Sequence, residues 1–332
     1  MAPPVSPSGK SIWIDGLNAS NWESDDVFHS LQESGLSAIN ATIAIWEDYE
    51  ETLDNIAEWL HRLDLKRSGF TIVHSVDDIY AAKEQSIVGI ILGWQNALSI
   101  GKDLKRLRLF RELGVRIVQL TYNQRNLLAN GCFEEKDEGL SEFGRRAVRE
   151  MNKQGILIDL SHVGDQSTLD VIECSDLPVA ITHANARDFK DHRRNKTQQA
   201  IEALVRKGGV IGANAFPRFL PHGFDSTIDD LLDSIDYLVN MVGVEHVAIG
   251  SDFTQRQSRD FFDKLFSLHG TLPPDPYELP STDDHLKGFR NPSDFPRVAE
   301  GLSRRGYSAE DVDKIMGGNW LKLFEQTWTS QS

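Results

Sequence analysis

The sequence predicts an α/β protein, a single (β/α)8 or TIM barrel with C-terminal helices, and one domain spanning residues 1–332. Eight short apolar runs rich in β-branched residues recur along the 332-residue chain. Amphipathic stretches of helical period separate most of these runs, an alternation typical of parallel α/β folds. The runs are almost continuously apolar, which indicates strands buried on both faces. Eight such strands favour a closed barrel over an open doubly wound sheet.

The eight strands are predicted at residues 12–16, 38–44, 89–95, 116–122, 156–162, 178–183, 210–216 and 247–252. Helical spacing of apolar residues predicts helices at residues 49–63, 104–113, 142–154, 201–207 and 228–241. Gly114, Gly155 and Gly243 lie just past three of these helices, where a left-handed cap is expected. Residues 70–74 form an extra apolar run, either a turn before a helix or an added edge strand.

Two closing helices are predicted at residues 294–305 and 309–326, after a polar stretch at residues 254–291 that is rich in Pro, Asp and Gly. A loop of this length usually covers a functional site. We find no internal repeat and no interdomain linker.

Composition limits the classes of partner. The chain has 35 Lys and Arg against 50 Asp and Glu, a formal charge of -15, which argues against nucleic acid and anionic membranes as main partners. No apolar run is long enough to span a bilayer, and residues 1–10 contain no apolar segment of the signal-peptide kind. Cys132 and Cys174 are too few for a disulfide framework. We therefore expect a soluble cytoplasmic protein.

Polar side chains lie at the carboxyl ends of many of the predicted strands. This is the end of the barrel at which such folds have their active sites. These side chains are Gln95, Tyr122, Asn123, His162, His183 and Asp252. A single histidine after a strand is more often structural than a ligand. Here His162 and His183 follow adjacent strands, and Asp252 would complete a set that binds one Zn²⁺ with an open position. Nothing in the sequence distinguishes the loop histidines at positions 192, 222, 269 and 285.

Longer segments resemble the family of metallopeptidases that contains membrane, or renal, dipeptidase. The resemblance extends from Ile12 to about Trp328. Its strongest parts are Asp-Leu-Ser-His at residues 159–162, Thr-His-Ala-Asn-Ala-Arg at 182–187, Arg-Asn at 194–195, Val-Ala-Ile-Gly-Ser-Asp-Phe at 247–253 and Gly-Gly-Asn-Trp-Leu at 317–321.

The resemblance implies the barrel fold and a centre of two zinc ions bridged by a glutamate and a water. Matched residue by residue, it implies that His162 and His183 bind the second metal. It also implies that Asp252 orients the attacking water and that Arg194 binds the substrate's carboxylate.

The rest of the metal centre departs from the family pattern. The family reads Asp-Gly-His-Asn-Asp where this chain reads Asp-Gly-Leu-Asn-Ala at residues 15–19, so both ligands of the first metal are missing. Gln95 replaces the bridging glutamate, and Tyr122 stands where a histidine often follows strand four. Two dications beside Asp252 alone would leave roughly three uncompensated charges in a partly buried site. We expect at most one zinc ion, at His162 and His183, or none.

Three functions remain open at this point. The first is a one-metal hydrolase for a dipeptide-like or small amide substrate. The second is metal-independent chemistry, such as elimination or isomerisation of an amino-acid-derived metabolite, with Asp252 and the two histidines as acid–base groups. The third is a non-catalytic ligand-binding protein. In each case the presence of Arg194 predicts a small-molecule partner with a carboxylate. Tyr122, Asn123 and Gln95 would orient this partner. Family members are often dimers, so we also expect a homodimer.

Overall fold

The computed structural model describes residues 11–66, 68–267 and 285–329. Nine strands of the described chain form one sheet in which all pairings are parallel. They are β1 (Ile14–Asn18), β2 (Ala38–Ala44), β3 (Phe70–Ile72), β4 (Val88–Trp94), β5 (Val115–Gln119), β6 (Leu157–Asp159), β7 (Ala180–Ile181), β8 (Val210–Asn214) and β9 (Val247–Gly250).

Eight of these strands form a nearly closed barrel in the order β1-β2-β4-β5-β6-β7-β8-β9. At the seam, Asn18 pairs with Phe253, and the Asp252 N–H donates to the Leu17 carbonyl oxygen at 3.0 Å. The predicted eight-stranded barrel is therefore confirmed. β3 pairs with β4 outside this path, so the extra apolar run at residues 70–74 contains an added strand.

Helices follow most of the strands. They are α1 (Asp25–Glu33), α2 (Tyr49–Leu65), α3 (Val76–Glu84), α4 (Lys105–Glu112), α5 (Glu142–Gln154), α6 (Asp165–Cys174), α7 (Gln198–Arg206), α8 (Ile228–Val242), α9 (Arg259–Phe266), α10 (Phe295–Arg304), α11 (Ala309–Asp313) and α12 (Asn319–Thr327). The sequence did not predict α1, α3, α6 or α9. Of the three glycine caps, Gly155 is left-handed as expected, whereas Gly243 has a positive φ but an extended ψ of 155°. A π-helical turn at Lys314–Gly318 divides the second closing helix, which was expected to be continuous.

The interior near the amino ends of the strands is apolar. Each barrel strand contributes one buried side chain to this layer, namely Ile14, Ala38, Ile91, Ile117, Leu157, Ala180, Val210 and Ala248. The aromatic residues Trp320, Phe324 and Trp328 pack against it, and the Trp320 indole donates to the Ile249 carbonyl oxygen at 3.0 Å. A filled layer of this kind leaves the opposite, carboxyl end of the barrel for a site.

Residues 1–10, on which the signal-peptide prediction rests, lie outside the described residues. So do residues 268–284 of the long polar loop, with His269. In the part of the chain that the structure describes, no helix has the length and apolarity to cross a membrane.

Candidate active site

The structure brings the predicted rim residues together. A cavity of about 210 Å³ opens at the carboxyl end of the barrel. Its lining includes Gln95, Tyr122, Asn123, His162, Arg194 and Asp252. His183 is fully buried and contacts His162. All seven residues lie beyond the ends of the strands, in the loops that follow. The apolar runs that predicted β5, β6 and β7 extend past the ends of these strands.

The two imidazoles face each other through Nε2 atoms that are 3.1 Å apart. Close packing of neighbouring strands holds this part of the barrel tightly. A Cβ added at Gly212 or Gly250 would collide with the Thr182 carbonyl oxygen, one residue before His183. Glycine at these two positions therefore allows β8 and β9 to approach the backbone that carries His183.

Hydrogen bonds fix which ring nitrogen of His162 carries the hydrogen. Its Nδ1 lies 2.7 Å from Oδ1 of Asn123, and an amide oxygen only accepts. The thiol of Cys132 also donates to this oxygen, at 3.5 Å, which supports the assigned amide orientation. The Nδ1 of His162 therefore carries the hydrogen, and its Nε2 presents a lone pair in the neutral ring.

A chain of hydrogen bonds fixes the ring of His183 in the same way. The Thr182 hydroxyl donates to Oδ2 of Asp159 at 2.6 Å, so it must accept from Nδ1 of His183 at 2.7 Å. The hydroxyl and backbone N–H of Ser161 donate to the other oxygen of Asp159. This outer arrangement, a carboxylate behind a hydroxyl behind an imidazole, is of the kind that orients metal-bound histidines.

Both Nε2 atoms consequently present lone pairs to each other. Two lone pairs 3.1 Å apart repel unless a proton or a cation lies between them. A shared proton is disfavoured, because burial and the positive charge of Arg194 hold the pKa of each imidazole well below its ordinary value. Neutral imidazole Nε2 is a common ligand of zinc. The residues present therefore fit one divalent metal ion.

Asp252 approaches the cavity from the β9 loop with a left-handed backbone, at a φ of 55°. The Asn214 amide donates to its Oδ2 at 3.0 Å. Removal from bulk water raises the pKa of Asp252, which the charge of Arg194 and the Asn214 hydrogen bond oppose. Among the described residues, no three His, Cys, Asp or Glu side chains gather in a group that could hold a metal ion.

Arg194 is fully buried, although it comes from a loop. Its two terminal nitrogens donate to the carbonyl oxygens of Ser161 and His183, each at 2.7 Å, and its Nε has no hydrogen-bond partner in the described chain. The guanidinium therefore braces the backbone beside both histidines while its charge faces the cavity. Binding of a substrate carboxylate by Arg194 stays a prediction.

Tyr122 and Gln95 complete the polar wall. The Tyr122 ring stacks on His162, with centroids 4.2 Å apart, and burial raises the pKa of its phenol, which stays protonated. Gln95 Nε2 donates to the Thr42 hydroxyl at 3.0 Å. The Cys132 thiol is half-buried, and loss of hydration raises its pKa, which argues against a thiolate nucleophile.

The comparisons with known proteins identify the family. The family model of membrane dipeptidases, peptidase family M19, matches residues 17–264. This chain belongs to that family. An amidohydrolase from Pseudomonas aeruginosa is 37% identical in sequence and superposes with a TM-score of 0.92, over 98% of this chain and 99% of that one.

Two curated sequences show more distant similarity. Dipeptidase tcpJ from Claviceps purpurea is 26% identical over 95% of this chain, and dipeptidase 3 from Rattus norvegicus is 26% identical over 77% of it. The matched regions span 65% and 48% of the lengths of these two relatives.

The positions that the sequence analysis predicts to depart from the membrane dipeptidase pattern lie at this same rim. Ala19 and Gln95 line the cavity, and Leu17 is buried beside it in β1. Leu17 and Ala19 have no side-chain atom that binds a metal, and Gln95 offers only a neutral amide.

The sequence analysis gave no role to His192 and did not predict Arg218 or the aromatic wall of Phe133, Phe216 and Phe219, all of which line the cavity. The signal for His192 was its position two residues before Arg194. Its Nδ1 accepts the Arg194 backbone N–H at 3.1 Å, and its ring packs against Phe133 and Phe219. Burial and the nearby charges of Arg218 and Arg194 lower its pKa to about 4. His192 is therefore neutral near pH 7 and carries its hydrogen on Nε2.

Proposed function

We propose that this membrane dipeptidase family member hydrolyses a small amide or dipeptide-like substrate that bears a carboxylate, using no more than one metal ion. The observation that carries the proposal is the pair of facing imidazole lone pairs, 3.1 Å apart, beside a cavity that also contains a carboxylate. The family match over residues 17–264 and the similarity to an amidohydrolase support hydrolysis.

The fixed charges near the imidazoles support a limit of one metal ion. Asp159 and Asp252 are the carboxylates of this region, and Arg194 and Lys196 are its buried cations. Arg218 also lines the cavity, so these groups carry no net negative charge before any metal is added. One divalent ion, with a substrate carboxylate and a hydroxide, keeps the region near neutrality. A second ion would lack both ligands and compensating charge, at a high cost in a partly buried site.

The residues divide the work of hydrolysis as follows. A metal ion at His162 and His183 would supply Lewis-acid polarisation and an acidified water. Asp252 accepts a proton from the water that attacks the amide carbon, and it returns that proton to the leaving amine as the carbon–nitrogen bond breaks. The phenol of Tyr122 and the amide of Gln95 hold substrate oxygens by hydrogen bonds. Arg194 attracts the substrate's carboxylate.

Metal analysis with a substrate panel tests the proposal. Protein equilibrated with zinc and then dialysed is expected to retain one zinc per chain, measured by plasma mass spectrometry. It is also expected to hydrolyse members of a panel of dipeptides and N-acyl amino acids of both stereochemistries. Two zinc ions per chain would overturn the one-metal centre. Retained hydrolysis by zinc-free protein would replace it with acid–base chemistry by Asp252. Absence of hydrolysis across the panel would refute the hydrolase assignment.

A second prediction concerns His192 as a neutral hydrogen-bond donor to the substrate. His192→Phe keeps a ring between Phe133 and Phe219 but removes the Nε2 hydrogen, together with the Nδ1 that accepts the Arg194 backbone N–H. We expect KM to rise about three- to tenfold with little change in kcat, since one neutral hydrogen bond is typically worth about 1 kcal/mol. His29, exposed on α1, provides the control substitution His29→Phe. An unchanged KM in the folded His192 variant would exclude this role.

A further inference from the structure

A second cavity, of about 300 Å³, lies beside the first at the carboxyl ends of β1 and β2. Three tryptophans, Trp22, Trp46 and Trp59, line it. Trp22 and Trp59 pack together with centroids 5.0 Å apart, and the Trp22 indole donates to the Thr42 carbonyl oxygen at 3.0 Å. The aromatic wall is thus fixed by packing and by a backbone hydrogen bond.

The two cavities share part of their lining. Ala19 and Phe261 line both of them. Ala19 contributes only a methyl group at this boundary, and it follows β1 at the barrel seam. Phe261 lies on α9 and packs against Trp46, with ring centroids 5.7 Å apart. The proposed catalytic cavity therefore adjoins a space walled by tryptophan, with Ala19 and Phe261 at the boundary.

The ionisable groups of the second cavity are mostly acidic. Its described lining includes Glu23, Glu47 and Glu58 against Arg62, and the Lys264 ammonium lies 5.8 Å from the centre of the Trp46 ring. The Arg62 guanidinium lies 5.8 Å from the centre of the Trp59 ring, so this wall already contacts cations. Aromatic faces beside carboxylates are a common means of recognising ammonium groups. The first cavity, in contrast, presents Arg194 and Arg218.

We propose that the second cavity is a subsite for a positively charged amine at the far end of an extended substrate whose carboxylate lies in the first cavity. This inference rests on the proposed function, because the amide to be cleaved lies in the first cavity beside His162 and Asp252, and only the amine-bearing end of the acyl chain enters the second. Charge complementarity favours this orientation, with the anionic end near the arginines and the cationic end among tryptophans and glutamates. The substrate class is thereby narrowed to amides with an amine-terminated acyl chain.

A pair of substrates matched in length tests the subsite. N-(ω-aminohexanoyl)-alanine ends in an ammonium group, and N-heptanoyl-alanine has a chain of the same length that ends in a methyl group. The third compound, N-acetyl-alanine, is too short to reach the second cavity. We expect kcat/KM of the wild-type protein to be about five- to tenfold higher for the amine-terminated compound than for its methyl-terminated match. Equal values for the two long compounds would overturn the proposal.

Substitutions in the second cavity and at its boundary test whether the preference for the amine-terminated compound arises there. Glu58→Lys, at an exposed position on α2, is expected to remove the preference for the amine while leaving N-acetyl-alanine hydrolysis within about twofold of wild type. Asp54→Lys is the matched control, because Asp54 is exposed on the same helix and does not line the cavity. Ala19→Leu, which fills the boundary, is expected to lower kcat/KM for both long compounds relative to N-acetyl-alanine. An unchanged preference in Glu58→Lys would overturn the proposal.

Binding measurements distinguish a failure of this inference from a failure of the proposed function. If none of the three compounds is hydrolysed, the hydrolase assignment fails for this substrate class, and calorimetry with the two long compounds still tests the subsite. Tighter binding of the amine-terminated compound, lost in Glu58→Lys and kept in Asp54→Lys, supports the subsite. Equal affinities, or no binding of either compound, refute it.

Discussion

His183→Ala is expected to lower kcat/KM by about a thousandfold or more and to abolish zinc retention. This loss exceeds the roughly 10- to 100-fold effect typical of losing an outer-shell partner, because the substitution removes one of the two imidazoles that face each other. The structural basis is the 3.1 Å separation of the Nε2 atoms and the neutral state of both rings. Steady-state kinetics and metal analysis of the same preparation measure the two effects together.

Two further variants separate this role from a general loss of structure. Thr182→Val removes the hydroxyl that links His183 to Asp159 but keeps the side-chain volume, and we expect a loss of about 10- to 100-fold. His61→Ala changes an exposed histidine on α2 and should leave activity and zinc content unchanged. Full activity in a folded His183→Ala protein would remove His183 from the centre.

The barrel and most of its rim were predictable from the sequence, because parallel strands buried on both faces leave continuous apolar runs in the chain. Polar residues at the ends of those runs then indicated the site. His162, Asp252 and Gln95 were found in this way, and all three line one cavity. The sequence allowed two interpretations of the run that contains β3, a turn before a helix or an added edge strand. A three-residue strand has too few residues to establish a period in its hydrophobic pattern.

Other features depend on geometry that no local pattern contains. The tautomers of the histidines follow from the positions of Asn123 and Thr182, which only the folded chain defines. The sequence shows only that Arg194 lies in a loop. The fold buries it and directs its terminal nitrogens to backbone oxygens. The tryptophan-lined cavity combines residues from the loops after β1 and β2 and from α2, and no local sequence pattern connects these segments.

Asp15 lies in β1 and helps to hold the barrel seam, where β1 meets β9. Its carboxylate accepts hydrogen bonds from the Ser251 backbone N–H at 2.8 Å, the Ser251 hydroxyl at 2.6 Å, the Leu17 N–H at 3.3 Å and the Asn18 amide at 3.4 Å. Burial raises its pKa from 3.8 to about 7, against the opposing effect of these donors. The folded protein therefore keeps a proton on Asp15 at pH values where the unfolded chain has released it.

The stability of the fold is expected to depend on Asp15 in two ways. Asp15→Ala leaves several buried donors without an acceptor and should lower the free energy of unfolding by about 3 kcal/mol or more. Asp15→Asn resembles the protonated acid and should cost about 1 kcal/mol. Because the folded-state pKa is the higher one, the Asp15 contribution is full below about pH 4 and declines by up to about 1.4 kcal/mol per pH unit as the pH rises towards 7. Urea unfolding across this range should therefore give a steeper decline in wild type than in Asp15→Asn, and parallel curves would show that Asp15 titrates normally in the fold.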